Sequence, residues 1–225
     1  MPDNKAAREK VVVRSPRLPK RWEAKDIEGG YVQYHERYVS LALSGNDFTN
    51  QVAVRPAFAE SSFQQVCLIN TEFEELQLDD VRFTNCDLAT ANWYKSAWHR
   101  VELVGCRLTG FLAGEATLQD VLFKDCLISL AQFRFATLKS VRFEHCDLHD
   151  TDLLEADLTD VRFEHCNLQQ AEFSGTRLAG VDLTTCSIDG ARMGAKELQQ
   201  ATVNLTQAIA LVESLGIHVR SSPEM

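Results

Sequence analysis

The amino-acid sequence predicts an all-β fold, a parallel β-helix of square cross-section closed at its C-terminal end by a short α-helix. Three observations predict it. Cysteine recurs at Cys86, Cys106, Cys126, Cys146, Cys166 and Cys186, one unbroken interval of twenty residues. Valine keeps the same interval from Val81 to Val181, five residues ahead of each cysteine, and a fixed period of this length is the signature of a solenoid. Inside each interval a large apolar residue falls every five positions, as at Leu78, Phe83, Leu88, Trp93 and Trp98, and the row runs from Leu43 to Met193.

Two residues ahead of each large residue stands a second inward position that is usually small or β-branched, as with Val81, Cys86, Ala91 and Ser96. Inward positions therefore advance by two, three, two, three. An α-helix, turning about 100° per residue, would scatter them around its axis. A plain strand alternates by two, so the step of three must be a corner that restores the phase. Five residues make one side with one corner, and four sides make the twenty-residue coil. Successive coils then stack about 4.8 Å apart, the spacing of paired strands.

Three segments follow. Residues 1–37 form a basic arm, partly irregular, carrying Lys5, Arg8, Lys10, Arg14, Arg17, Lys20 and Arg21, with Pro16 and Pro19 opposing regular structure. Residues 38–203 form the β-helix. Its first coils place Asn46, Gln51 and Pro56 where small inward residues belong, which predicts a distorted or covered end. Residues 204–225 form a capping helix and tail: Thr206 is the expected N-cap, Ile209, Val212 and Leu215 share one face, and Gly216 is the stop. A helix laid over the last coil would cover its core and its unpaired strand edge.

The runs CDLHD, TDLLE and ADLTD, from Cys146 to Asp160, carry a family likeness. They follow A(D/N)Lxx, with Cys, Ser, Thr or Val allowed in the first place, and the chain resembles the pentapeptide-repeat proteins over about residues 38 to 200. The resemblance implies a right-handed quadrilateral β-helix. It also implies two partner modes: some members protect DNA gyrase from quinolones and related toxins by resembling DNA, and a terminal helix can join two rods end to end.

Composition narrows the function. A net charge of −9 and a pI near 5.2 oppose a direct nucleic-acid binder, which needs a basic footprint. Seven cysteines over 225 residues are too sparse for a disulfide-stapled scaffold. No window approaches a membrane span, and the opening residues lack the apolar core of a signal peptide, so the expected setting is soluble and cytoplasmic. The six periodic cysteines point inward and pack the wall, whereas Cys67 points outward. Asp125, His145 and His165 share one outward column. No phosphate loop, HExxH, GxSxG or fixed carboxylate pair is present, so no enzyme, cofactor or metal site is expected.

Function must then lie on the outward positions. Leu112, Leu127, Leu130, Phe135 and Leu154 are apolar there, and such a patch marks a contact. It serves either a separate protein or the arm with Trp22, Tyr31 and Tyr34. Acids crowd at Glu72, Glu74, Glu75, Asp79 and Asp80, and again at Glu144, Asp147, Asp150, Asp152, Glu155, Asp157 and Asp160, the second set winding around one coil. The expected function is a non-enzymatic, protein-binding scaffold. The alternative is gyrase binding by DNA mimicry, and a homodimer through Ile209, Val212 and Leu215 is a further expectation.

Overall fold

The computed structural model describes residues 12–22, 27–214 and 216–220. After a 3-10 turn at Glu28–Gly30 come β1 (Arg37–Val39), β2 (Ala42–Ser44), β3 (Val52–Val54), β4 (Ala57–Gln64) and β5 (Glu72–Glu74). They are followed by β6 (Gln77–Thr84), β7 (Ala97–Val104), β8 (Thr117–Lys124), β9 (Thr137–Glu144), β10 (Arg162–Glu164) and α1 (Leu205–Ser214). The strands are parallel in the order β1-β4-β6-β7-β8-β9-β10, with β2 also on β4 and with β3 paired to β5. The register is the sequence period: Val81 faces Val101, Val121 faces Val141 and Phe143 faces Phe163.

The corners are where the step of three occurs. Every fifth residue from His35 to Gly180 has a positive φ, between 47° and 61° where it is not glycine. A single left-handed residue turns the chain and returns the next small residue to the interior. Its N–H still bonds to the adjacent coil, as Asn70 N does to Ala89 O at 3.0 Å and Asn85 N to Val104 O at 2.9 Å. A left-handed L-residue costs roughly 1–2 kcal/mol, which burial of each central side chain, worth roughly 1.5–3 kcal/mol, offsets.

The sides are not alike. On the first (centred on Phe58, Leu78, Trp98 and Leu118) and the second (Phe63, Phe83, Leu103 and Phe123), each eight-residue strand runs through the corner. On the third (Leu68, Leu88, Leu108, Ile128) and fourth (Phe73, Trp93, Ala113, Phe133), turns such as Ala91 N to Leu88 O at 3.2 Å close within one coil. There the residue before the centre often accepts from the N–H after it: Asp87 from Ala89 at 3.0 Å, Asp152 from Leu154 at 3.0 Å, Asn167 from Gln169 at 3.1 Å. This Asx-type bond is the physical reason for Asp or Asn in the repeat.

The core is one continuous column of buried residues from Ile27 to Met193. Phenylalanines of the second side stack between coils, with ring centroids 4.8 Å apart for Phe123–Phe143 and 5.2 Å for Phe143–Phe163. Trp93 and Trp98 are buried, their indole N–H groups donating to Thr71 Oγ1 at 3.0 Å and Ser96 Oγ at 2.8 Å. Phe111 fills the room left by Ala113 and meets Trp93 at 5.4 Å between centroids.

Both ends are covered through side-chain amides. Gln51 accepts from Val32 N and donates to Gly30 O, both at 2.9 Å, so this misfit in the repeat holds the entry turn. At the other end Gln207, buried, donates at 2.8 Å to Leu183 O, which also accepts from Cys186 N, and to Cys186 O. The N-cap of α1 is Asn204 rather than Thr206. Asn204 Oδ1 accepts from Gln207 N at 3.0 Å while Gln207 Oε1 accepts from Asn204 N at 2.8 Å, a reciprocal capping box. The helix meets the rod through Gln207 and Leu211. Ile209 is instead exposed, Val212 is half-buried, and Leu215 lies outside the described residues.

Replacing Gln207 by Ala removes both the carbonyl contacts and the capping box. The expected result is a loss of about 1–3 kcal/mol of unfolding free energy in urea melts, with earlier loss of helical circular dichroism. An unchanged midpoint would show that α1 does not close the rod.

Candidate functional site

The apolar candidates lie on the third and fourth sides. Leu127, Leu130 and Phe135 are each more than half exposed, at 52%, 56% and 52%, while Leu112 and Leu154 are half-buried. Leu130 and Phe135 are consecutive corners at φ 61° and 57°. A bulky apolar side chain is strained in that region, which suits Gly, Asn and Asp. Leu127 and Leu112 stand in the column that elsewhere supplies Asx-type acceptors, at Asp87, Asp147 and Asp152. Four of the five candidates thus replace a residue the local backbone favours.

Beside them a groove of about 580 Å³ runs along the fourth side from Val52 to Phe135, lined also by Val54, Glu72, Glu74, Tyr94, Leu112, Gly114, Glu115 and Arg134. Gly114 lies off the corner series, and its φ is not left-handed. What the site requires is space: a Cβ there would lie 3.3 Å from the Tyr94 ring. Tyr94 is held across it by a hydrogen bond from its hydroxyl to Glu115, which keeps the phenol well protonated. Lys95 Nζ stands 5.0 Å from the same ring. Glu115 is also within 3.8 Å of Lys95, and Arg134 is held by Asp152 at 2.6 Å. Glu72 and Glu74 are exposed and form no ion pair among the described residues. Tyr94 and Gly114 escape a reading by composition. A glycine out of step with the multiples of five is the sequence signal that locates them.

The arm lies elsewhere. Arg17 N donates to Asp80 Oδ1 at 2.8 Å and Arg14 N to Asp120 Oδ1 at 3.4 Å, along the edge between the first and second sides. Three arm residues extended span about 10 Å, matching two coils at about 4.8 Å each. Asp80, Arg100 and Asp120 are the buried corners among the described residues. Arg100 binds both Asp80, at 2.6 Å, and Asp79, at 2.7 Å, and His99 meets Asp79 at 2.8 Å. The described arm therefore does not cover the apolar patch as the sequence allowed, because its backbone donors are taken by carboxylates on another edge. Trp22, Tyr31 and Tyr34 remain exposed.

The acidic candidates encircle one coil and do not converge. Asp147 accepts from His149 N at 3.2 Å and Asn167 Nδ2 at 2.9 Å, Asp157 from Thr159 Oγ1 at 2.7 Å, and Asp150 meets His149 at 3.0 Å. Asp152 is engaged by Arg134, while Glu155 and Asp160 are exposed corners. Along the rod, acids face bases on the next coil: Arg55–Glu75 at 2.6 Å, Arg82–Glu102 at 2.7 Å, Arg142–Glu164 at 2.9 Å.

The periodic cysteines are buried wall residues, with Sγ of Cys126, Cys146 and Cys166 lying 3.4–3.5 Å from carbonyls of the preceding coil. Hydrogen bonding to neighbouring thiols, then burial, raises the pKa of Cys106 and Cys146. Cys67 is partly exposed and rests 3.1 Å from Thr49 Oγ1. His145 and His165 stack with centroids 5.1 Å apart, and no cluster of three or more metal-ligating side chains occurs among the described residues. No described helix is long and apolar enough to cross a membrane.

Burial raises the Asp80 carboxyl, but the hydrogen bonds from Arg100 and Arg17 N outweigh it, so its pKa lies below the ordinary 3.8. A carboxyl depressed in the folded state stabilises fully above its unfolded value and loses that contribution as pH falls through the folded one. The stability advantage of the wild type over Asp80→Asn is thus expected to be constant above about pH 5 and to shrink below about pH 4. Denaturant midpoints at several pH values measure it, and an advantage that grew on acidification would contradict the assignment.

The family model for a pentapeptide repeat region matches residues 78–153 and 116–193, together more than half of the chain. HetL, a pentapeptide repeat protein involved in heterocyst differentiation regulation from the cyanobacterium Nostoc sp. strain PCC 7120, is 19% identical at a TM-score of 0.36, covering 76% of this chain and 89% of its own. Full-length QnrB1, a plasmid-mediated fluoroquinolone resistance protein, is 20% identical at a TM-score of 0.38, covering 81% and 100%. Rfr23 from the cyanobacterium Cyanothece 51142 is 12% identical at a TM-score of 0.17, covering 76% and 91%. No curated protein matches the chain.

Proposed function

Since the chain belongs to the pentapeptide-repeat family, we propose that it is a non-enzymatic scaffold which binds a protein partner through the apolar patch of Leu112, Leu127, Leu130, Phe135 and Leu154. One observation carries this reading. Leu130 and Phe135 hold left-handed corners with large exposed apolar side chains, against both backbone preference and hydration. Residues that break a local rule without a packing gain are expected at functional surfaces. Leu112 and Leu127 add to it by giving up the Asx-type acceptor of their columns.

Pull-down from a native lysate with wild type and a Leu127→Asp, Phe135→Asp variant tests the patch, with circular dichroism melting used to confirm that the variant is folded. Loss of specific partners from the folded variant is expected. An identical partner set from both proteins would count against the patch.

The second reading, DNA mimicry toward gyrase, draws on the net charge of −9 and the acidic coil around Asp150, Glu155 and Asp160. The alternation of acids with Arg55, Arg82 and Arg142 along the rod weakens it, since a mimic of duplex phosphates needs uninterrupted negative charge. Purified gyrase is expected to supercoil DNA at an unchanged rate with micromolar protein present, with or without quinolone. Inhibition, or protection from the drug, would favour mimicry instead.

A further inference from the structure

The groove on the fourth side has a chemistry that narrows the partner, given the scaffold reading above. Its walls are apolar at Val52, Val54, Leu112 and Phe135, and its ionisable lining holds three glutamates against one arginine. Arg134 is occupied by Asp152, and Glu115 by Lys95 and Tyr94. Glu72 and Glu74 are left exposed one coil in from the Val52 end of the groove, two coils before Leu112. The fourth side offers no strand edge for an added strand: Asn92 N bonds to Thr71 O at 2.7 Å, Leu112 N to Ala91 O at 2.9 Å and Gln132 N to Phe111 O at 2.8 Å. An occupant must therefore satisfy its own backbone, which among peptides an α-helix does.

Dimensions agree. From Val52 to Gln132 is four coil spacings, about 19 Å, and a helix of about 13 residues has that length at about 1.5 Å per residue. Glu72 and Leu112 are two spacings apart, about 10 Å, or about seven helical residues, so a cation and an apolar residue separated by two turns share one helix face. Gly114 has no side chain, so the Tyr94 ring rests 3.3 Å from where a Cβ would stand and nothing projects from that position into the groove. We infer that this groove docks an amphipathic α-helix of a partner protein, with Lys or Arg against Glu72 and Glu74 and apolar residues two turns away against Leu112 and Phe135.

Two hydrocarbon-stapled 14-residue peptides probe this site by fluorescence anisotropy. They share a leucine pair and differ only in carrying two lysines or two glutamates, two turns from the leucines on the same face. The lysine peptide is expected to bind at least tenfold more tightly than the glutamate peptide, and Leu112→Ser to weaken it about tenfold. Glu72→Lys with Glu74→Lys should invert the preference, a gain for the glutamate peptide that damage to the fold does not produce. Equal binding of both peptides, no binding at 100 μM, or a charge-reversed variant that keeps the original preference would overturn the helix-docking proposal. If lysate partners still depend on Leu127 and Phe135 in that event, the scaffold reading stands without it.

Discussion

The left-handed corner is the constraint on which the rod depends. One residue in five must take a positive φ, because only that step of three returns the next small residue to the interior after a strand's alternation by two. Once the corners are set, each coil closes in twenty residues, equivalent residues meet in register, and the core becomes a column of stacked phenylalanines, leucines and thiols. The corner is also the fold's main conformational strain. Most corners here are Asp, Asn, Glu, Gln, Ser, His or Gly, residues that point into water or tolerate αL.

Every other feature answers something that the stack leaves open. A solenoid pairs its interior coils with one another and leaves its two ends unpaired. Gln51 meets the entry turn and Gln207 the carbonyls of Leu183 and Cys186, so a polar side chain at each end bonds to backbone where the stacking stops. Like charges stacked at the coil spacing would repel, and the columns answer with Arg55 over Glu75 and Arg82 over Glu102. The arm fits the same ruler, three of its residues to two coils, which is why Arg14 and Arg17 find Asp120 and Asp80.

The fold was legible because the interior repeats. Val81 to Val181 and Cys86 to Cys186 give the coil, and the apolar row gives the sides, from spacing alone. The apolar patch was legible as outward leucines and Phe135, but the groove beside it was not, since Gly114 acts by having no side chain and the Tyr94 ring rests against that position. The arm's position was not legible either: it rests on backbone N–H groups that every residue but proline carries, so Arg14 and Arg17 differ little in sequence from Lys10 or Lys20. At the C-terminus the expected cap was Thr206, although asparagine is at least as good a cap by residue type. Asn204 prevails because Gln207, three residues on, returns its hydrogen bond.

The proposed partner surface requires that Leu130 and Phe135 be held at their corners against the preference of the backbone. The direct test is the unfolding free energy of a Leu130→Asn, Phe135→Asn variant by urea denaturation. Asparagine tolerates the left-handed region and exposes no apolar surface, so the variant should be more stable than wild type by about 1 kcal/mol or more. A less stable variant would show that these side chains support the fold, and would contradict their assignment to a partner surface.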